Sequence, residues 1–278
     1  MNMQLVLQGN TLDERDVQQL ARLCGAASIT RIGANACRLG AARPGADIAA
    51  YCSARRLDFA FVPGTRKLAD MRLLVMDMDS TLISIECIDE IADMAGVKPE
   101  VSAITAAAMR GEIDYPESLA RRVALLRGLD ESALLRVYDE RLQLSPGAEV
   151  MLAHARSLGI RTLLVSGGFT FFTGRLQQRL GFDDTLANTL EIADGRLTGK
   201  IVGAIVDAEA KAARVRETRE RMDIGKGSIT AIGDGANDLK MMAEAGVSVA
   251  YRAKPVVQAR ADHALNFVSL DGVLNLFN

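Results

Sequence analysis

The chain has 278 residues, 33 Lys and Arg against 35 Asp and Glu, a net charge of −2 and 49% apolar residues. That is enough for one large domain or two around a sizeable core, and the near-neutral balance leaves no basic footprint for nucleic acid. No apolar run reaches the ~18 residues that span a bilayer, the opening MNMQLVLQGN lacks the features of a secretory signal, and the four scattered cysteines fit a reducing, cytoplasmic location.

In chain order, residues 1–70 read as a small α+β unit. Alternation at 4–8 predicts a strand, 12–23 a helix, 28–32 and 36–39 two short strands, 47–55 a helix and 58–62 a last strand. This βαββαβ order is ferredoxin-like, Pro63-Gly64 makes a natural boundary, and no chemical constellation falls before it. From Met71 the pattern changes. Apolar strands are expected at 73–76, 162–165, 229–232 and 247–250, and helices at 148–158, 171–180, 208–222 and 238–244. Strands alternating with helices predict an α/β domain with a mostly parallel, Rossmann-like sheet. Between about 83 and 144 the pattern is helical throughout, with helices at 86–95, 101–110, 115–127 and 132–141, an α-helical cap inserted after the first core strand. LEIADGRLTGKIVG places Asp194-Gly195 between alternating residues, the signal of an antiparallel hairpin. The expected division is therefore 1–68, a core of 69–83 with 145–278, and a cap of 84–144.

Ligands of open α/β sheets bind beyond the carboxyl ends of the strands. Three expected strands end in polar or glycine-rich loops: Asp77-Met78-Asp79-Ser80-Thr81, Ser166-Gly167-Gly168 and Gly233-Asp234-Gly235-Ala236-Asn237-Asp238. Aspartates gathered at one edge repel unless a hard cation neutralises them, and oxygen-only ligands point to Mg²⁺ rather than zinc. Extended backbone through 77–79 would project Asp77 and Asp79 to one side, one to attack phosphorus and the other to move protons, with Met78 turned into packing. The Ser166-Gly167-Gly168 turn at a helix start suits a phosphate, and Lys211 is a candidate cation for the transferring group. Each piece has a plain structural alternative. Aspartates also cap helices and start turns, Ser-Gly-Gly is a common βα connection, and Lys211 would by default be a solvated helix charge. GDGAND lacks the third glycine of a dinucleotide fingerprint, and the two histidines, His154 and His263, lack partners that would tune them. Ser-His-Asp and zinc chemistry are not expected.

DMDST at 77–81, Ser166 after an apolar strand, Lys211 downstream and GDGAND at 233–238 resemble, in order and spacing, the four motifs of the haloacid dehalogenase-like phosphatases. MDMDSTLISIECIDEIA, YPESLARRVALLRGL, LLVSGGFTFFTGRLQQRLGFD, ADGRLTG and IGDGANDLKMMAEAGVSVAY resemble the phosphoserine phosphatase branch of that family over about residues 70–270, helical insertion included. The resemblance implies Mg²⁺-dependent hydrolysis of O-phospho-L-serine through an aspartyl-phosphate, the last step of L-serine biosynthesis. It also implies an ACT-like N-terminal domain with a regulatory or packing role.

By position, the resemblance makes Asp77 the nucleophile and a Mg²⁺ ligand. Asp79 is the proton donor and later the base, with its backbone carbonyl on the metal. Asp234 completes the protein ligands and Asp238 supports them. Ser166 and Gly167 would hold the phosphate, Lys211 would pair with it and with the nucleophile, and Asn237 would add a polar contact. In the cap, Glu86 would take the substrate ammonium and Arg122 its carboxylate, a pairing that suits a bidentate guanidinium. Arg121 is read as surface, and Glu86 also suits a helix start through the helix dipole. Tyr115 stands where relatives often have phenylalanine, its ring expected over the substrate. The implied partner is a small-molecule substrate, with neither nucleic acid nor membrane, and a homodimer is the assembly to test. The alternatives are another small phosphomonoester, phosphate transfer to an alcohol, and a phosphate-storing signalling module.

Overall fold

The computed structural model describes residues 3–278. Strand β1 (Met3–Gly9) leads to helix α1 (Glu14–Cys24), β2 (Ser28–Gly33), β3 (Ala36–Gly40), α2 (Ala46–Arg55) and β4 (Leu57–Pro63). The four strands form an antiparallel sheet in the order β2-β3-β1-β4, the ferredoxin-like arrangement that the βαββαβ pattern predicts. Helix α1 starts where Asp13 accepts the Arg15 N–H and stops at Gly25, whose left-handed backbone turns its N–H onto the carbonyls of Ala21 and Arg22. Its buried face, Val17, Leu20 and Cys24, packs with Leu5, Leu7 and Leu39 of the sheet. Cys24, Cys37 and Cys52 are free and sit in this core as small apolar groups.

Strand β5 (Leu73–Met76) opens the larger sheet and is followed by helices α3 (Cys87–Met94), α4 (Lys98–Met109), α5 (Tyr115–Ala124) and α6 (Ser132–Glu140). Then come α7 (Ala148–Ser157), β6 (Arg161–Phe169), α8 (Thr170–Leu180) and the hairpin β7 (Asp184–Ala193) and β8 (Arg196–Val202). The chain continues through α9 (Ala208–Arg221), β9 (Ile229–Gly233), α10 (Leu239–Met242), β10 (Val247–Tyr251), α11 (Pro255–Gln258) and β11 (His263–Leu265). The strand order is β11-β10-β9-β5-β6-β7-β8. β9, β10 and β11 run parallel, as do β6 and β7, while β8 pairs antiparallel with β7, so the α/β class with a mostly parallel sheet is as expected.

The chain divides into two compact units. One holds the chain up to Leu74 with Pro146–Arg161 and Ile224–Asn278, and the other Val75–Ser145 with Thr162–Asp223. In the first, the N-terminal sheet is tied to the C-terminal segment by Asp58, whose carboxylate accepts the N–H groups of Asn266, Phe267 and Val268 at 2.7, 2.8 and 2.9 Å. Gln8 adds a bond to Gly272 O at 3.2 Å and accepts from Asn275 at 2.8 Å. The second unit combines the helices α3 to α6 with β6, β7, β8, α8 and α9.

Two local expectations change. The strand expected to end at 165 runs on to Phe169 with a register shift between Val165 and Phe169, so Ser166-Gly167-Gly168 is the irregular end of a strand rather than a turn. Glycines there leave room for the distortion. The pairing of β5 stops at Met76, but the extended backbone expected at the two aspartates is kept, with Asp77 at φ −74°, ψ 160° and Asp79 at φ −64°, ψ 137°, before Ser80 turns left-handed at φ 56°. The helix expected at 238–244 is only Leu239–Met242, and β11 has no counterpart in the sequence pattern, being three residues long. Among the described residues no helix is long and apolar enough to cross a membrane.

Candidate active site

β5 is buried along its whole length and carries the chain to Asp77, 5% exposed with extended backbone. Its partner comes from α9. Asp207 caps that helix by accepting the Ala210 N–H at 2.8 Å, and one turn on Lys211 turns inward with Ala212 and Val215. Lys211 is 1% exposed and its Nζ lies 2.6 Å from Asp77 Oδ1. Both side chains are almost wholly out of water, so removing either charge would leave the other buried with less compensation. The solvated-charge reading of Lys211 is therefore wrong.

Asp79 occupies a different environment. Burial, reinforced by the negative charge of Glu86, pushes its carboxyl up to about 7, against the opposing pull of the Cys87 N–H and Lys211. The Cys87 N–H reaches its Oδ1 at 3.2 Å. Glu86 stands at the N-cap of α3, yet its side chain makes no cap bond there and instead accepts from the Ser80 hydroxyl at 2.7 Å.

At the end of β6, Ser166 is fully buried and its Oγ accepts the Gly168 N–H at 2.8 Å. The Gly167 carbonyl accepts from the Tyr115 hydroxyl at 3.0 Å and from Asn188 Nδ2 at 2.8 Å. Burial pushes Tyr115 up to about 12, so its hydroxyl remains a donor. A Cβ at Gly168 would come within 2.8 Å of Asp79 Oδ2 and of Met78 Cε, and 3.0 Å from Ser166 Oγ, so any side chain there would displace the ends of these groups. Arg122 is half-buried with its Nε donating to Ser118 O at 3.3 Å, whereas Arg121 is exposed and pairs with Glu117.

The loop after β9, in the other unit, carries Asp234, Asn237 and Asp238. Asp238 is fully buried and its Oδ2 accepts the N–H groups of Asp234 at 3.2 Å and Gly235 at 3.0 Å. A Cβ at Gly233 would lie 2.6 Å from that same Oδ2. Asp234 is half-buried and Asn237 is exposed. Asp77, Asp234 and Asp238 are all carboxylates. An all-carboxylate donor set fits Mg²⁺ and not a metal that prefers nitrogen or sulfur.

One residue of this neighbourhood escapes the sequence reading. Asn188 on β7 is 1% exposed, and its Oδ1 accepts the Val206 N–H at 2.8 Å while its Nδ2 holds Gly167. The available signal is an asparagine inside a strand, where that residue type is depleted. His263 and His154 stand apart, His263 buried on β11 against Arg66 and His154 exposed on α7.

Residues 74–243 match the family model of the haloacid dehalogenase-like hydrolases, and residues 5–48 that of a domain of unknown function. A phosphoserine phosphatase of Polaromonas sp. is 54% identical over 215 residues, which cover 76% of this chain and 91% of that protein. The chain is similar to the unliganded crystal structure of a probable phosphoserine phosphatase from Vibrio cholerae, with a TM-score of 0.85 and 37% identity over 99% of this chain and 85% of that one. It is also similar to a solved phospho-aspartyl intermediate analogue of phosphoserine phosphatase, with a TM-score of 0.70 and 35% identity over 75% of this chain and 99% of the other.

Proposed function

The chain belongs to the haloacid dehalogenase-like hydrolases, and from that membership we propose that it hydrolyses O-phospho-L-serine to L-serine and phosphate. The observation that carries the reading is the buried Lys211–Asp77 pair, 2.6 Å apart, with a readily protonated Asp79 two residues on. A carboxylate oxygen of Asp77 attacks phosphorus as the bond to the serine oxygen breaks, and Asp79 gives its proton to that oxygen. Asp79, now a carboxylate, takes a proton from the water that attacks the aspartyl-phosphate, which frees phosphate and restores Asp77. The Ser166 hydroxyl, the Gly167 amide and Lys211 offset the charge that develops on the phosphoryl oxygens.

Asp77 and Asp234, with Asp238 in support and the backbone carbonyl of Asp79, would hold Mg²⁺. Bound there, the cation neutralises phosphoryl charge that the acidic residues would otherwise repel. Glu86 receives the substrate ammonium, Arg122 its carboxylate, and Asn237 adds a polar contact. The Ser80 hydroxyl on Glu86 supports this role by fixing the carboxylate away from the α3 amides.

The same reading makes 84–144 a substrate-closing cap and 1–68 a regulatory or packing domain. It puts the reaction last in L-serine biosynthesis, in the cytoplasm, where four free buried thiols are stable. It also includes a homodimer, whose mass light scattering separates from that of a single chain. Phosphate release across a substrate panel tests the function. Phosphoserine is expected to exceed phosphothreonine and sugar phosphates in kcat/KM, and turnover should vanish in chelator and return with Mg²⁺. Equal turnover of sugar phosphates would remove Glu86 and Arg122 from the substrate site, and unchanged turnover in chelator would remove the metal.

A further inference from the structure

Both ends of the buried Asn188 carboxamide are used, and they reach two different segments of the site. Nδ2 donates to Gly167 O at 2.8 Å, and Oδ1 accepts the Val206 N–H at 2.8 Å. Gly167 follows Ser166. Val206 precedes Asp207, which caps the helix that carries Lys211. The Gly167 carbonyl also accepts from Tyr115 at 3.0 Å, so both of its lone pairs are engaged. The N–H of the same peptide unit, that of Gly168, donates to Ser166 Oγ at 2.8 Å. That bond occupies a lone pair of the hydroxyl and leaves its proton to be donated elsewhere.

We propose that Asn188 is a positioning residue: it fixes the Gly167–Gly168 peptide, and through it the Ser166 hydroxyl, in register with the segment leading to Lys211. The phosphate-facing donors and the ammonium on Asp77 are then preset as one group. This inference rests on the phosphatase reading of the site. Its energetic content is preorganisation, because a small misplacement of a phosphate cradle can lower the rate about 10²-fold.

Two variants separate the bonds. Asn188→Asp keeps an acceptor for the Val206 N–H but sets a carboxylate oxygen against the Gly167 carbonyl, and Asn188→Leu loses both bonds. The full chain is measured for its dissociation constant with inorganic phosphate in Mg²⁺, for kcat and KM on O-phospho-L-serine, and for its folded fraction at the assay temperature. Both variants should weaken phosphate binding about tenfold and lower kcat/KM about 10²-fold while remaining folded. Tyr115→Phe should be more damaging in the Asn188→Asp background than in the wild type, since the two donors share one acceptor. The proposal is overturned if Asn188→Asp binds phosphate within twofold of the wild type. It is equally overturned if activity falls only in proportion to the folded fraction, with KM and phosphate affinity unchanged. A wild type that does not prefer phosphoserine would refute the substrate reading, whereas the phosphate dissociation constants would still decide the role of Asn188.

Discussion

Asp77 and Asp79 are two residues apart, and their surroundings separate them chemically. Asp77 faces an ammonium at 2.6 Å, while Asp79 faces burial and the charge of Glu86. Two carboxyl groups whose environments differ in this way can divide nucleophilic and proton-transfer roles. Lys211→Met leaves Asp77 buried without its cation and should lower kcat by about 10³-fold in a phosphate-release assay. Asp79→Asn removes both donor and base, and steady-state turnover should fall at least 10²-fold. Gly168→Ala tests the crowding around Asp79. Its Cβ would press within 2.8 Å of Oδ2, so kcat should fall about 10²-fold while the urea midpoint moves little. The aspartates were legible in the sequence because acids at the end of an apolar strand violate strand chemistry. Lys211 was not legible from its surroundings, since AEAKAARVRE looks like a solvated helix, and only the family motif singled it out.

At the scale of elements, a hydroxyl bond from Tyr115 links the start of α5 to the end of β6. Asp114 caps α5 and Pro116 fixes its first turn, which points the start of the helix, Tyr115, at the Gly167 carbonyl. Tyr115→Phe removes one donor of two and should lower kcat/KM roughly tenfold, the loss of about one hydrogen bond. β4 presents a second case. Asp58 receives three backbone N–H groups, and burial still pushes its carboxyl up against their opposite effect. Asp58→Ala would leave three amides without their acceptor and should reduce the free energy of urea unfolding by about 3 kcal/mol. Periodicity located both β4 and the strands around the site, because that signal is local. It could not show that Asp58 reaches residues 266–268, or that Asn188 joins Gly167 to Val206, since such bonds depend on which strands become neighbours. The Ser166-Gly167-Gly168 segment was misread as a turn for a related reason: glycines mark both turns and distorted strand ends.

For the molecule as a whole, one buried histidine makes a contribution to stability that depends on pH. His263 accepts from Arg66 with the two nitrogens 2.7 Å apart, and burial, aided by the Arg66 charge, pushes its pKa down to about 4 from 6.5. The unfolded chain protonates this ring below about 6.5 and the folded chain does not, so that contribution falls as pH drops from about 6.5 towards 4. Asp79, whose carboxyl is pushed up to about 7, acts in the opposite direction over the same range, so the histidine is read by comparison: from pH 7 to pH 5 the wild type should lose roughly 2 kcal/mol more of its urea-unfolding free energy than His263→Leu does. The α/β class, the helical insertion and the ferredoxin-like N-terminal order were all legible, because each follows from the period and order of apolar segments. The central claim is covalent phosphoryl transfer to Asp77, and it is tested most directly by acid-quenching the protein during turnover of O-phospho-L-serine and mapping its peptides by mass. One phosphoryl group is predicted on Asp77; turnover with no phosphoryl group on Asp77, or with one on a different residue, would contradict the account.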